Sequence, residues 1–264
     1  MPVIIDPTAR VSSKAQLGEH VRIGPFSVIG DDVVIGDGSV LDPHVVVHKL
    51  TTIGKECKIA AFASVGCRPQ DLKYNDEPTS LEIGDRCDIR EYVTLSRGTV
   101  ENGKTVIGND CLFMANAHAA HDCVVGDHCI LANSVALAGH VTLGNWIIVG
   151  GLTPIHQFVK VGDHAMLGGG FRAVKDVPPF IRAGREPLVY EGLNSVGLRR
   201  RGFSAEAVNL IERAYTLIYH SNLNVSQALA RIKQELPQSP DIQNIVHFIE
   251  TSKRGILSGP RRRE

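Results

Sequence analysis

Residues 116–122 read NAHAAHD, with His121 directly before Asp122 and three residues after His118. An imidazole, whose ordinary pKa is about 6.5, can take the proton of an attacking hydroxyl near neutral pH. A neighbouring carboxylate can orient the ring and stabilise the imidazolium, the part played by the third member of a triad. Such a pair could activate an alcohol towards an acyl group, and no nucleophilic Ser or Cys is needed if the alcohol attacks directly. Other residues could complete the site. Gln70, Asp71 and Lys73 lie in a polar stretch, Gly139 precedes His140 in LAGHV, and His156 and Gln157 stand in IHQF. Arg199, Arg200 and Arg201 form the sharpest run of charge, and arginine forks suit a diphosphate. Each has a plainer reading: Asp71 and Lys73 as a solvated pair, Gly139 as a turn glycine, His156 as a satisfied coil histidine.

A scaffold must hold these groups, and the sequence is periodic enough to identify it. From Ile5, every sixth residue to Ala173 is apolar at 26 of 29 positions, the exceptions being Asp71, Glu77 and Glu101. Glycine follows the anchor in 13 of the 29 cases, against about three expected from the overall glycine content. A period of six fits neither a helix nor simple strand alternation. It predicts a mostly β fold, a parallel β-helix with three hexads to a triangular coil and aliphatic anchors stacked from coil to coil. Glycine beside the anchor would let the backbone turn at positive φ or pack closely. Five of the six cysteines (Cys57, Cys87, Cys111, Cys123 and Cys129) fall four residues after an anchor, where small buried residues are expected. There is no CxxC, so neither a disulfide framework nor a zinc site is expected, and reduced thiols fit a cytoplasmic protein. The polar segments 68–82 and 97–106 interrupt the repeat and read as projecting loops, where binding chemistry concentrates.

A tube of aliphatic ladders accounts for a composition that is 43% hydrophobic yet only 5% aromatic. The zero net charge is a cancellation. Residues 1–178 carry 15 basic and 20 acidic side chains, and residues 179–264 carry 13 and 8. The expected organisation is a β-helix over 1–178, ended by Pro178 and Pro179, and a small α-helical C-terminal domain over 179–264. Helices are predicted over 204–222 with Ser204 as N-cap, over 226–236, and from a Ser239 cap with Pro240 in the first turn. The terminal GPRRRE is expected to fray. The apolar content argues against disorder, no apolar run reaches the roughly 18 residues of a membrane span, and the amino end lacks a signal-peptide pattern. A neutral chain without a nucleic-acid module points away from nucleic acid, whereas the basic end could dock an acidic protein.

The stretches RPQDLKYNDEPT, IREYVTLSRGT, NAHAAHDCVVGD, LAGHVTLG, GGLTPIHQFVKVG and GLRRRGFS occur in this order over nearly the whole chain. In them the sequence resembles the UDP-N-acetylglucosamine O-acyltransferases of lipid A biosynthesis. The resemblance implies a left-handed β-helix, a cytoplasmic homotrimer of a Gram-negative-type bacterium, with no cofactor and no metal. It implies transfer of an (R)-3-hydroxyacyl chain from acyl carrier protein to the 3-hydroxyl of UDP-N-acetylglucosamine. It assigns the base role to His121, backed by Asp122, and the oxyanion donor to the Gly139 N–H. Gln70, Asp71, Lys73 and His118 would then meet substrate or carrier, and His140, His156 and Gln157 would line the sugar-nucleotide cleft. Asn194, Arg200 and Arg201 would reach the UDP from a neighbouring subunit, and Gly169 would leave the acyl groove open. The chain departs from the pattern at Val196, where the family often has Glu, and in RAGREPLVYEG. Competing readings are the N-acyltransferase of a later lipid A step, whose extra amino-terminal domain would have to precede a repeat that begins at residue 5, and a 3-amino sugar acceptor. Farther off lie an ice-binding helix, for which threonine arrays are lacking, and a gamma-type zinc carbonic anhydrase, for which an HxxxxH pair near the site is lacking.

Overall fold

The structure is a computed structural model and describes residues 2–259. Each hexad forms a two-residue strand followed by a corner, so that Ile4–Ile5, Arg10–Val11 and Gln16–Leu17 lie on three faces in turn. Each strand pairs in parallel with its equivalent one coil on: Ile5 with Ile23, Val11 with Ile29, Leu17 with Ile35. The result is a left-handed triangular prism of three sheets, with 11, 8 and 8 strands among the described residues. Anchors from Ile23 to Leu167 point inward and form one continuous core. From Arg22–Ile23 on, the second residue of each two-residue strand is thus buried while the first faces out, as in Lys58–Ile59.

The corners decide between the two roles left open for glycine. Gly36 does not turn the chain. A Cβ there would lie 2.6 Å from the Gly54 carbonyl carbon and 2.7 Å from Lys55 N, so glycine is required by the close approach of the next coil. The left-handed turn falls two residues later, largely on non-glycine residues such as His20, Phe26, Asp32 and His44, with φ between 55° and 63°. Hydrogen bonds to the preceding coil hold them there, as where His44 N–H donates to Pro25 O at 2.9 Å. The cysteines are free, and Cys57, Cys87, Cys111 and Cys129 stack at one edge with each thiol donating to a glycine carbonyl of the following coil.

Two coils are longer than the rest. Ile59 pairs with Ile89 and Ile89 with Phe113, which lengthens these coils by two hexads and one hexad. Whole hexads are inserted, so the frame resumes in phase and Asp71, Glu77 and Glu101 occupy frame positions without belonging to the core. The loops are shorter than 68–82 and 97–106. Ser80–Ile83 and Lys104–Ile107 are already strands paired with each other, because Leu81, Ile83, Thr105 and Ile107 alternate inward.

The strand pairing also runs past Pro178 and Pro179. These prolines lie at a corner, where no ladder N–H is needed, and Ile181–Gly184 still pairs in parallel with the coil before it. It then turns back as an antiparallel hairpin with Val189–Leu193. Four helices follow: α1 (Ser195–Arg200), α2 (Ala205–Tyr219), α3 (Val225–Glu235) and α4 (Pro240–Glu250). The short α1 has no apolar periodicity to announce it. Ser204 and Ser239 cap α2 and α4 as expected, while Asn224, with Gln227, builds a capping box that starts α3 at Val225. The α2 side chain Tyr215, fully buried, donates its hydroxyl to Pro179 O at 2.6 Å and ties the helices to the prism. No helix among the described residues is long and apolar enough to cross a membrane. Of the terminal GPRRRE, all but Gly259 lies outside the described residues.

Candidate active site

The prism has three edges, and one of them gathers most of the chemistry. At the edge between the face begun by Arg10–Val11 and that begun by Gln16–Leu17, successive coils present His121 and Asp122, then Gly139 and His140, then His156, Gln157 and Phe158. Both long loops leave the prism at this same edge. Between them lies a cleft of about 550 Å³ lined by Gln70, Asp71, Lys73, His121, His140 and Gln157, together with Leu72, Glu101 and Phe158.

Asp122 is the best-held group in it. Its side chain is inaccessible to solvent, and its own backbone sits at a left-handed corner with φ 62°. One oxygen accepts the Thr99 N–H at 2.9 Å. The other accepts the Thr99 hydroxyl at 2.6 Å and His121 Nδ1–H at 2.8 Å. Burial pushes the carboxyl pKa up, but the hydrogen bonds from Thr99 and His121 outweigh it and hold the pKa below the usual carboxylate value. Asp122 is therefore ionised, His121 Nδ1 carries the hydrogen, and Nε2 is left as the ring's acceptor. The Gly139 backbone presses against that imidazole. A Cβ at 139 would fall 2.7 Å from His121 Cε1 and 2.9 Å from Nε2, so no other residue fits beside the ring. Among the described residues nothing accepts the Gly139 N–H. His140 meets His121 edge-on, with ring centroids 5.2 Å apart, and stacks flat on Phe158 at 4.5 Å.

His121, Asp122 and His140 bring ligand atoms within 4.8 Å of one another, a spacing that could suit a metal ion. In this arrangement both Asp122 oxygens and His121 Nδ1 are already committed to Thr99 and to each other, which fits a proton-handling pair better than a ligand set.

The first loop is braced from behind. Arg97, only 4% exposed, donates to the Tyr74 hydroxyl at 3.0 Å, and the Arg68 and Arg97 guanidinium groups lie within 5.6 Å of the Tyr74 ring centre. Asp71 accepts the backbone N–H of Lys73 at 2.9 Å rather than its ammonium, which meets no carboxylate among the described residues. Both residues line the cleft, and no ion pair joins them.

The remaining residues named from the sequence lie elsewhere. His118 faces outward on a sheet and shares a 2.7 Å hydrogen bond with Thr94 Oγ1. His156 is exposed on the active edge but does not line the cleft, and its Nδ1 lies 3.1 Å from Gln157 O. Gly169 belongs to a second edge, where a Cβ would meet Gly151 O at 3.0 Å. Arg201 belongs to the third, its guanidinium 5.1 Å over the Trp146 ring and 3.5 Å from His164 Nδ1. Arg200 is exposed nearby on α1. Asn194 is buried at the start of α1, where its Oδ1 accepts from Gly197 N–H and its Nδ2 donates to His164 O at 2.9 Å, which leaves one amide hydrogen and one oxygen lone pair over. Those two bonds hold the helix that carries the arginines.

Sequence reasoning missed Thr99, Glu101 and Asn102. They reach Asp122 and His140 from a loop with no periodic signal; only the polarity of 97–106 pointed there.

Comparison with known proteins identifies the family. A family profile described as UDP-N-acetylglucosamine O-acyltransferase, domain 2, matches residues 176–257, and a bacterial transferase hexapeptide profile matches 14–49 and 104–139. An acyl-[acyl-carrier-protein]–UDP-N-acetylglucosamine O-acyltransferase of Paraburkholderia phymatum is 44% identical over 258 residues, covering 96% of this chain and 98% of the relative. A UDP-N-acetylglucosamine acyltransferase structure from Bacteroides fragilis superposes with a TM-score of 0.95 at 44% identity, over 96% of this chain and all of the other. The O-acyltransferase of Moraxella catarrhalis gives 0.93 at 43% identity, over 96% and 99% of the two chains.

Proposed function

The chain belongs to the UDP-N-acetylglucosamine O-acyltransferase family, and from that premise we propose that it transfers an (R)-3-hydroxyacyl chain from acyl carrier protein to the sugar 3-hydroxyl of UDP-N-acetylglucosamine, the opening step of lipid A synthesis. The observation that carries the mechanism is the chain of contacts Thr99–Asp122–His121, ending in a free Nε2 beside an unpaired Gly139 N–H. His121 Nε2 takes the proton of the 3-hydroxyl as that oxygen attacks the thioester carbonyl. The C–O bond forms, the carbonyl electrons move onto oxygen, and the Gly139 N–H faces the resulting oxyanion. One such donor contributes about 3 kcal/mol to the transition state. When the tetrahedral intermediate collapses, the C–S bond breaks and the imidazolium returns the proton to the departing thiolate. Asp122 stays ionised throughout and keeps the ring in the Nδ1–H tautomer.

Asp71, Lys73 and Gln70 on one wall, with His140 and Gln157 on the other, are suited to the sugar hydroxyls and the acyl oxygens. Arg200 and Arg201 carry the charge for a diphosphate. They lie on a different edge from His121, and Gly169 on a third. One site can use all three only if copies of the chain pack edge to edge, which supports a homotrimer with sites between subunits. The test offers the purified protein UDP-N-acetylglucosamine and carrier protein loaded with hydroxyacyl chains of several lengths. O-acylated product with at least one length is expected. Absence of product with every length would sink the reading.

A further inference from the structure

Glu101 is one of the three charged interruptions of the hexad frame, and the proposed reaction gives it no role. The turn that carries it is fastened to Asp122 by the Thr99 N–H, the Thr99 hydroxyl and Asn102 Nδ2, which donates to the Asp122 carbonyl at 3.4 Å. The turn closes on itself where Gly103 N–H donates to Thr99 O at 2.7 Å. Glu101 is thereby delivered to His140, its Oε2 lying 3.3 Å from Nε2. The same nitrogen lies 3.6 Å from Asp122 Oδ2, the oxygen that already accepts from His121 and Thr99. His140 Nε2 therefore lies within ion-pair reach of two carboxylates, the nearest acceptors for a hydrogen on that nitrogen. Only one of those carboxylates is spare.

We propose that Glu101 is a positioning residue, which holds the His140 Nε2–H and so leaves the Asp122 carboxylate to His121. The proposal rests on the reading of His121 as the base only for its kinetic consequence; the geometric claim stands apart from it. Without Glu101, the His140 N–H turns to Asp122 Oδ2 and competes with His121 for it.

The full-length protein is assayed as Glu101→Ala and Glu101→Gln, alone and with His140→Ala. Glu101→Ala is expected to lower kcat about tenfold with little change in KM for the sugar nucleotide, the cost of a loosened base. Glu101→Gln keeps an acceptor oxygen and should recover most of the rate. In the His140→Ala background no N–H remains to be diverted, so Glu101→Ala should cost nothing further. Because Glu101 is mostly exposed, its melting temperature should stay at the wild-type value. The downfield proton resonance of His121 Nδ1–H reads the same geometry without turnover. It should move in Glu101→Ala and return in Glu101→Gln, whether or not His121 proves to be the base. A resonance unmoved in Glu101→Ala, a loss equally large without His140, or an effect confined to KM would overturn the proposal.

Discussion

At the residue scale the site is a matter of which atoms have spare hydrogen-bonding capacity. His121 Nδ1 is used by Asp122, and Nε2 is not, so the ring is poised to accept a proton at one defined atom. If His121 is the proposed general base, His121→Ala should retain the fold and lose about two to four orders of magnitude in turnover. Survival of near wild-type activity would show that another group removes the proton. Asp122 gives a pH prediction whose sign is fixed. Its pKa is held below the ordinary carboxylate value, so its contribution is complete above that value and fades only as the pH falls through the lowered one. Any acid limb of kcat/KM above about pH 5 should therefore not arise from Asp122. The limb should survive, at a lower overall rate, in Asp122→Asn, and its disappearance there would contradict this assignment. The pair itself was legible because its members adjoin in NAHAAHD. Thr99 was not, since it meets Asp122 from 23 positions away, through a loop whose sequence carries no period.

At the scale of elements, the six-residue frame made the coils, their inward ladders and even the phase after each loop readable before any coordinates. What it could not supply was the assignment of corner roles. Glycine can serve either a left-handed turn or a close approach, and here the turn fell on residues such as His44 and Asp32 while glycine answered to the neighbouring coil. Gly36→Ala should accordingly destabilise the protein by about 2 kcal/mol or more, because its Cβ meets backbone that cannot move aside. A denaturation midpoint equal to wild type would refute that reading. The short helix α1 and the hairpin before it were equally hidden, being set by the Asn194 cap and by pairing with the last coil rather than by local pattern. The packing of α1 on the third edge has a further consequence. Burial, and then the nearby Arg201, push the His164 pKa down to about 4, against about 6.5 in an unfolded chain. The unfolded chain binds the extra proton between these values, so stability should fall as pH drops from 6.5 towards 4. Urea midpoints measured across that window should decline, and less steeply in His164→Gln; a decline just as steep in the variant would remove His164 as a cause.

At the scale of the whole molecule the proposed function places a requirement on assembly. His121, Gly169 and Arg201 cannot meet within one prism, since each lies at a different corner of the triangle. A cyclic assembly would solve this by setting the His121 edge of one copy beside another edge of the next, repeated until the ring closes. The consequence can be tested with two variants that are each inactive, His121→Ala and the double replacement Arg200→Ala with Arg201→Ala. If the ring is the proposed trimer, mixed assemblies made by co-expression contain, in either composition, one junction at which an intact His121 edge meets an intact arginine edge. Equal random mixing should thus restore about a quarter of the wild-type rate, as the closed ring dictates. If base and arginines served the same site within one chain, every subunit of the mixture would lack one of them. No activity would then return, whatever the proportions.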